Sequence, residues 1–97
     1  MSRIVVDVNA MEAAANRSNQ LASKIDDCKQ ECIALNLQLQ ECYEGQSAQS
    51  FDDFCRDRAV PVLDEVSGMC TEIARGLLHT CGQFTDADGT LSKTFRA

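Results

Sequence analysis

The chain has 97 residues and a net charge of −6, with 15 acidic residues against 9 basic ones scattered along it. That excludes more than one domain, and it argues against nucleic acid and against an anionic membrane surface as partners, since both call for concentrated positive charge. One Pro, five Gly, no Trp and one Tyr, in a text rich in Ala, Leu, Gln and Glu, point to an all-α fold.

The first residues, Met1-Ser2-Arg3-Ile4-Val5-Val6-Asp7, carry β-branched side chains without helical period and are expected to be extended. Their apolar run falls short of the roughly 7–15 residues of a cleavable signal peptide. No stretch reaches the about 20 needed for a membrane span. Export, if it occurs, is expected to bypass the general secretory route. Asn9 with Glu12 forms a capping-box pattern, so helix one is expected to begin within a residue or two of Asp7 to Asn9. From there Met11, Ala14, Ser18, Leu21, Ile25, Cys28, Cys32, Leu35, Leu39 and Cys42 recur in alternating steps of three and four, a heptad stripe. A helix over about 8–42 would run roughly 50 Å.

The stretch Cys42–Phe51 breaks the pattern. Gly45 can take the positive φ of a helix exit, and Ser47 can cap the next helix, so a turn is expected over 43–47. A second stripe then runs through Ala48, Phe51, Cys55, Ala59, Val62, Val66, Met69, Ile73, Leu77, Cys81 and Phe84. Helix two is therefore expected over about 48–84. Pro61 falls inside it and removes one backbone bond at a cost of roughly 3 kcal/mol, so a kink near Pro61 is expected. Thr85-Asp86-Ala87-Asp88-Gly89-Thr90 ends the helix, and residues 85–97 are expected to form a loosely ordered tail.

The sum is a single domain over 1–97, an antiparallel helix-turn-helix hairpin. A second apolar flank lies beside the two stripes: Ile33 and Leu37 on helix one, and Phe54, Leu63, Cys70, Ala74 and Leu78 on helix two. A lone hairpin buries too little surface to be comfortable, and an uncovered flank marks an interface. Ile33, Leu37, Phe54, Leu63 and Leu78 are accordingly the expected partner interface, completing a four-helix bundle on dimerisation. A kinked three-helix monomer is the alternative.

Six cysteines invite a disulfide framework, but geometry resists it. In a hairpin turning near residue 45, residues at one level have numbers summing to about 91. Cys28 then faces Leu63, Cys32 faces Ala59, and Cys70 faces Leu21. Cys32 and Cys55 alone approach, about 6 Å out of step along the axis, against the roughly 7 Å that a disulfide allows between Cα atoms. Free thiols acting as small apolar core residues are expected. Cys28 and Cys32, one turn apart, could present two thiolates to zinc, yet the one histidine, His79, lies far from them, and no metal or cofactor is expected. No Ser/His/Asp or Cys/His set has a plausible meeting point, so no enzyme is expected.

The length, the hairpin and Tyr43-Glu44-Gly45 with Ala48 and Phe51 beyond it resemble the WXG family of small type VII secretion substrates. There the turn reads Trp-x-Gly, then a small residue and an aromatic on the second helix. Tyr43 departs from that Trp, a substitution seen among type VIIb relatives, some of which pair with the helical N-terminal domain of LXG toxins. The family also carries an aromatic-x-x-x-acidic export signal past helix two, matched here by Phe84 and Asp88. The resemblance implies a non-enzymatic secretion substrate or targeting partner, cytoplasmic before export and secreted without a cleavable signal peptide. Its implied partners are a second copy, another hairpin protein or a toxin's helical domain, and the secretion ATPase. A cytosolic coiled-coil adaptor and a thiol-based metal or redox module are the rival expectations.

Overall fold

In the computed structural model the backbone is described over residues 5–83 and 94–96, and the side chains over residues 7–83. The elements run β1 (Val5–Asp7), α1 (Val8–Cys42), α2 (Gln46–Phe54), a π-helical segment (Cys55–Ala59), α3 (Val60–Gly82) and β2 (Thr94–Arg96). The chain is an all-α helical hairpin with one short strand pair. It divides into two compact units, residues 21–69 around the turn and residues 1–20 with 70–97 at the chain ends.

Each boundary has a local cause. The carboxylate Oδ1 of Asp7 accepts the Ala10 amide at 3.1 Å, so Asp7 caps α1, not the expected Asn9–Glu12 box. Against the expectation of a loose tail, Thr94–Arg96 pairs antiparallel with Val5–Asp7, Val6 opposite Phe95. β-branched and aromatic side chains favour that extended pairing. Before Pro61 the helix widens, and the Val60 amide donates to the Cys55 carbonyl five residues back. Proline offers no N–H and its ring crowds the carbonyl four residues back; a widened turn relieves that crowding by inserting one residue.

The seam between the helices consists of small side chains. In the unit of the chain ends Val8, Ala15, Cys70, Ala74 and Cys81 are buried; in the turn unit Ala22, Asn36, Ala48, Cys55 and Ser67 are. Val8, Ala15, Ala22 and Asn36 fall on one heptad position, as do Ser67, Ala74 and Cys81. Small residues let helix backbones approach, and the hydrogen bonds show that they do. In the unit of the chain ends the Ser18 hydroxyl donates to the Cys70 carbonyl at 2.7 Å, and the Cys81 thiol lies 3.8 Å from the Val8 carbonyl. In the turn unit the Ser67 hydroxyl donates to the Ala22 carbonyl at 3.3 Å. Each uses the second lone pair of a carbonyl already bonded within its helix.

This overturns the expected seam at half its positions. Met11, Ser18, Ile25, Cys32 and Leu39 are half-buried, but Ala14, Leu21, Cys28, Leu35 and Cys42 are exposed, and the neighbours Ala15, Ala22 and Asn36 take their place. On α3 the exposed Val62, Val66, Met69 and Ile73 yield to Leu63, Ser67, Cys70 and Ala74. Close approach decides at Ala22: a leucine there would hold the backbones too far apart for the hydroxyl bond from Ser67.

Candidate docking face and turn

The turn is set by Gly45, whose φ of 110° belongs to glycine. Nothing lies within 4 Å of where its Cβ would stand, so the requirement is conformational, not one of space. Gly45 is also the residue that caps α2, and its carbonyl accepts the Gln49 amide at 3.1 Å. The expected Ser47 cap does not form, because the helix already begins at Gln46. Tyr43 stands half exposed beside the turn, while Ala48 is buried and Phe51 half-buried.

Beneath the turn lies a polar cluster that hydrophobic patterning does not announce. Buried Asn36 donates from Nδ2 to Asp52 Oδ1 at 2.8 Å and accepts from Gln40 Nε2 at 3.2 Å. Gln40 Nε2 also donates to the Ala48 carbonyl at 2.9 Å, and Arg56 Nε donates to Asp52 Oδ1 at 3.1 Å. A buried amide is costly unless bonded, so this cluster holds α1 and α2 in one register. Its one signal in the sequence is an Asn at a heptad position among Ala and Val.

On one side of the turn unit the uncovered side chains are large. Leu21, Leu35, Phe54, Val62, Val66 and Met69 are between 39% and 56% exposed. Leu21, Cys28 and Leu35 are seven residues apart and share one face of α1; Val62, Val66 and Met69 share one face of α3. Cys28, Cys32, Phe54, Arg58, Ala59, Val62 and Leu63 line a single apolar groove of about 430 Å³, which puts both faces on the same side. Six large apolar side chains on one surface of so small a chain mark an interface more readily than scattered exposure does.

The five expected interface residues separate. Phe54 and Leu63 line this groove; Ile33 and Leu37 border a second hollow with Asn36, Cys55 and Val60. Leu78 belongs to the unit of the chain ends, beside His79 and Arg75. Phe84 and Asp88 lie outside the described residues.

All six cysteines are free thiols: Cys55, Cys70 and Cys81 buried, Cys28 and Cys42 exposed, Cys32 between. Cys28, a seam residue by its spacing, opens instead into the groove. Its thiol pKa is pushed up, first by the charge that Cys32 would carry one turn away, then by desolvation and by its hydrogen bond with Cys32. Among the described residues no three His, Cys, Asp or Glu side chains gather as metal ligands. Lys29 takes the seam position between Ala22 and Asn36 and reaches Asp64 Oδ1 at 2.7 Å. The hydrogen bond to Asp64 raises its pKa, against a smaller opposing desolvation, with further help from the charges of Asp64 and Asp26.

No described helix is long and apolar enough to cross a membrane. No curated protein and no solved structure matches the chain. The family model described as proteins of 100 residues with WXG matches residues 3–89. Its members are small helical proteins associated with secretion that typically form hairpin dimers. With the hairpin, the Gly45 turn and that match over most of its length, the chain belongs to the WXG100 family.

Proposed function

We propose that this protein is a non-enzymatic type VII secretion substrate or targeting partner, which pairs through the uncovered face of its turn unit and presents Phe84 and Asp88 as an export signal. The observation that carries the pairing is the inversion of side-chain size: mostly alanine, serine and cysteine among the buried residues, and leucine, methionine and phenylalanine among the exposed ones. Burial of apolar area contributes about 25 cal/mol per Å², so the larger reserve of hydrophobic stabilisation lies on the surface, to be realised against another helical hairpin. That partner is a second copy, another hairpin protein or the helical domain of an LXG toxin. An aromatic at 84 followed four residues on by a carboxylate at 88 makes a short address that the secretion ATPase can read.

Export is the test. Phe84→Ala and Asp88→Ala should each abolish appearance in the culture medium while circular dichroism stays unchanged. Normal export of both variants would remove the signal from the proposal. Retention of the unmodified chain in the lysate of cells with a working secretion system would identify a cytosolic adaptor instead.

A further inference from the structure

We infer that Cys28 and Cys32 form a two-thiolate site for a soft monovalent metal ion, copper(I), in the apolar groove of the turn unit. The site asks only for residues of this chain and stands apart from the pairing proposed above.

The two cysteines are four residues apart on α1, which sets their side chains one above the other on a single helix face. Both line the groove, Cys28 exposed and Cys32 half-buried, and their thiols are close enough to share a hydrogen bond. Residues so placed on a helix have Cβ atoms about 5–6 Å apart. A disulfide wants roughly 3.5–4.5 Å, so the helix holds the pair too wide for direct oxidation. An ion between the sulfurs lengthens the bridge by one atom and fits the wider spacing without unwinding α1.

The lining decides which ion. Among the described residues the rest of the groove wall is Phe54, Arg58, Ala59, Val62 and Leu63, which bring no further thiol, imidazole or carboxylate. No three His, Cys, Asp or Glu side chains gather elsewhere among the described residues either. Structural zinc takes four such ligands, so two thiolates serve it poorly. Copper(I) is soft, prefers sulfur and accepts as few as two ligands. Apolar walls also withhold the oxygen ligands that harder ions require.

Binding is a proton exchange with no change of oxidation state: each thiol releases a proton and the ion takes both thiolates. The product carries one negative charge. Arg58 lines the same groove and takes part in none of the ion pairs found among the described residues. Its guanidinium offsets that charge at short range.

The experiment titrates the full, reduced chain with copper(I) under anaerobic conditions, against a chromophoric chelator. One ion per chain should bind, with a thiolate-to-metal absorption band in the near ultraviolet and two sulfur neighbours by X-ray absorption. Cys28→Ala and Cys32→Ala should each weaken binding roughly 10²- to 10⁴-fold, the advantage that two joined ligands have over one. Cys42→Ala removes the exposed thiol outside the groove and should leave the affinity as it was. Circular dichroism should be the same for all three variants, which separates a lost ligand from a lost fold. Zinc at equal concentration should not displace the copper. Full affinity in either groove-cysteine variant, one ion shared between two chains, or displacement by zinc would each overturn the inference.

Discussion

The seam and the outer face of the turn unit are built from adjacent residues with opposite tasks. Ala22 supplies the carbonyl that Ser67 bonds, while Leu21, one residue earlier, lies half in solvent. Ser67 is buried between the exposed Val66 and Gly68, and Met69 is exposed beside buried Cys70. The difference teaches that hydrophobicity and burial are separable along a helix. The inner stripe is chosen for how closely it lets two backbones come, and the outer one for the area it can later cover.

The contrast breaks most visibly at Ala22 and Leu21. Ala22→Leu should destabilise the chain by about 1–3 kcal/mol through overpacking, seen as a lower urea midpoint. Leu21→Ala should leave the isolated chain's stability within about 0.5 kcal/mol and weaken its pairing with another helical hairpin instead. Equal losses of stability from both would erase the distinction between the stripes. Asn36→Ala sharpens it at the polar end: removing the amide strips Asp52 and Gln40 of a partner and should cost about 1–2 kcal/mol, checked by urea unfolding with Asn36→Asp as a comparison. The smallest effect belongs to Lys29. Its pKa is raised in the folded chain, so the stability it contributes is complete below the ordinary lysine pKa of about 10.4 and fades as pH climbs through the raised value. Urea midpoints across that alkaline range should fall for the unmodified chain more than for Lys29→Met.

Much of this fold is legible in the residues. The hairpin, the glycine exit at 45 and one full heptad position, from Met11 through Leu39, follow from spacing alone. Spacing fails at the choice between neighbours. At 21 and 22, 28 and 29, and 35 and 36, counting apolar residues favours the first of each pair, and the seam takes the second, either the smaller residue or one with a polar partner across the seam. The polar members Lys29 and Asn36 look like outward residues until their partners Asp64 and Asp52 are in place. On helix two the error has a different origin. Counting threes and fours onward from Cys55 arrives at Val62, Val66, Met69 and Ile73, because that count assumes an unbroken α-helix. The docking groove is legible only in part: Phe54 and Leu63 stand out on the second flank, whereas Val62, Val66 and Met69 fall on the stripe that spacing assigns to the interior.

The widened turn at Cys55–Ala59 thus acts as a frameshift in three dimensions. Each residue advances an α-helix by about 100°, so one extra residue ahead of Pro61 swings everything downstream around the axis by that angle. Deleting a single residue from that segment would return the helix to ordinary winding, turn Val62 and Met69 inward, and expel Ser67 and Cys70. One inserted position, held in place by a proline, decides which half of the second helix the outside world sees.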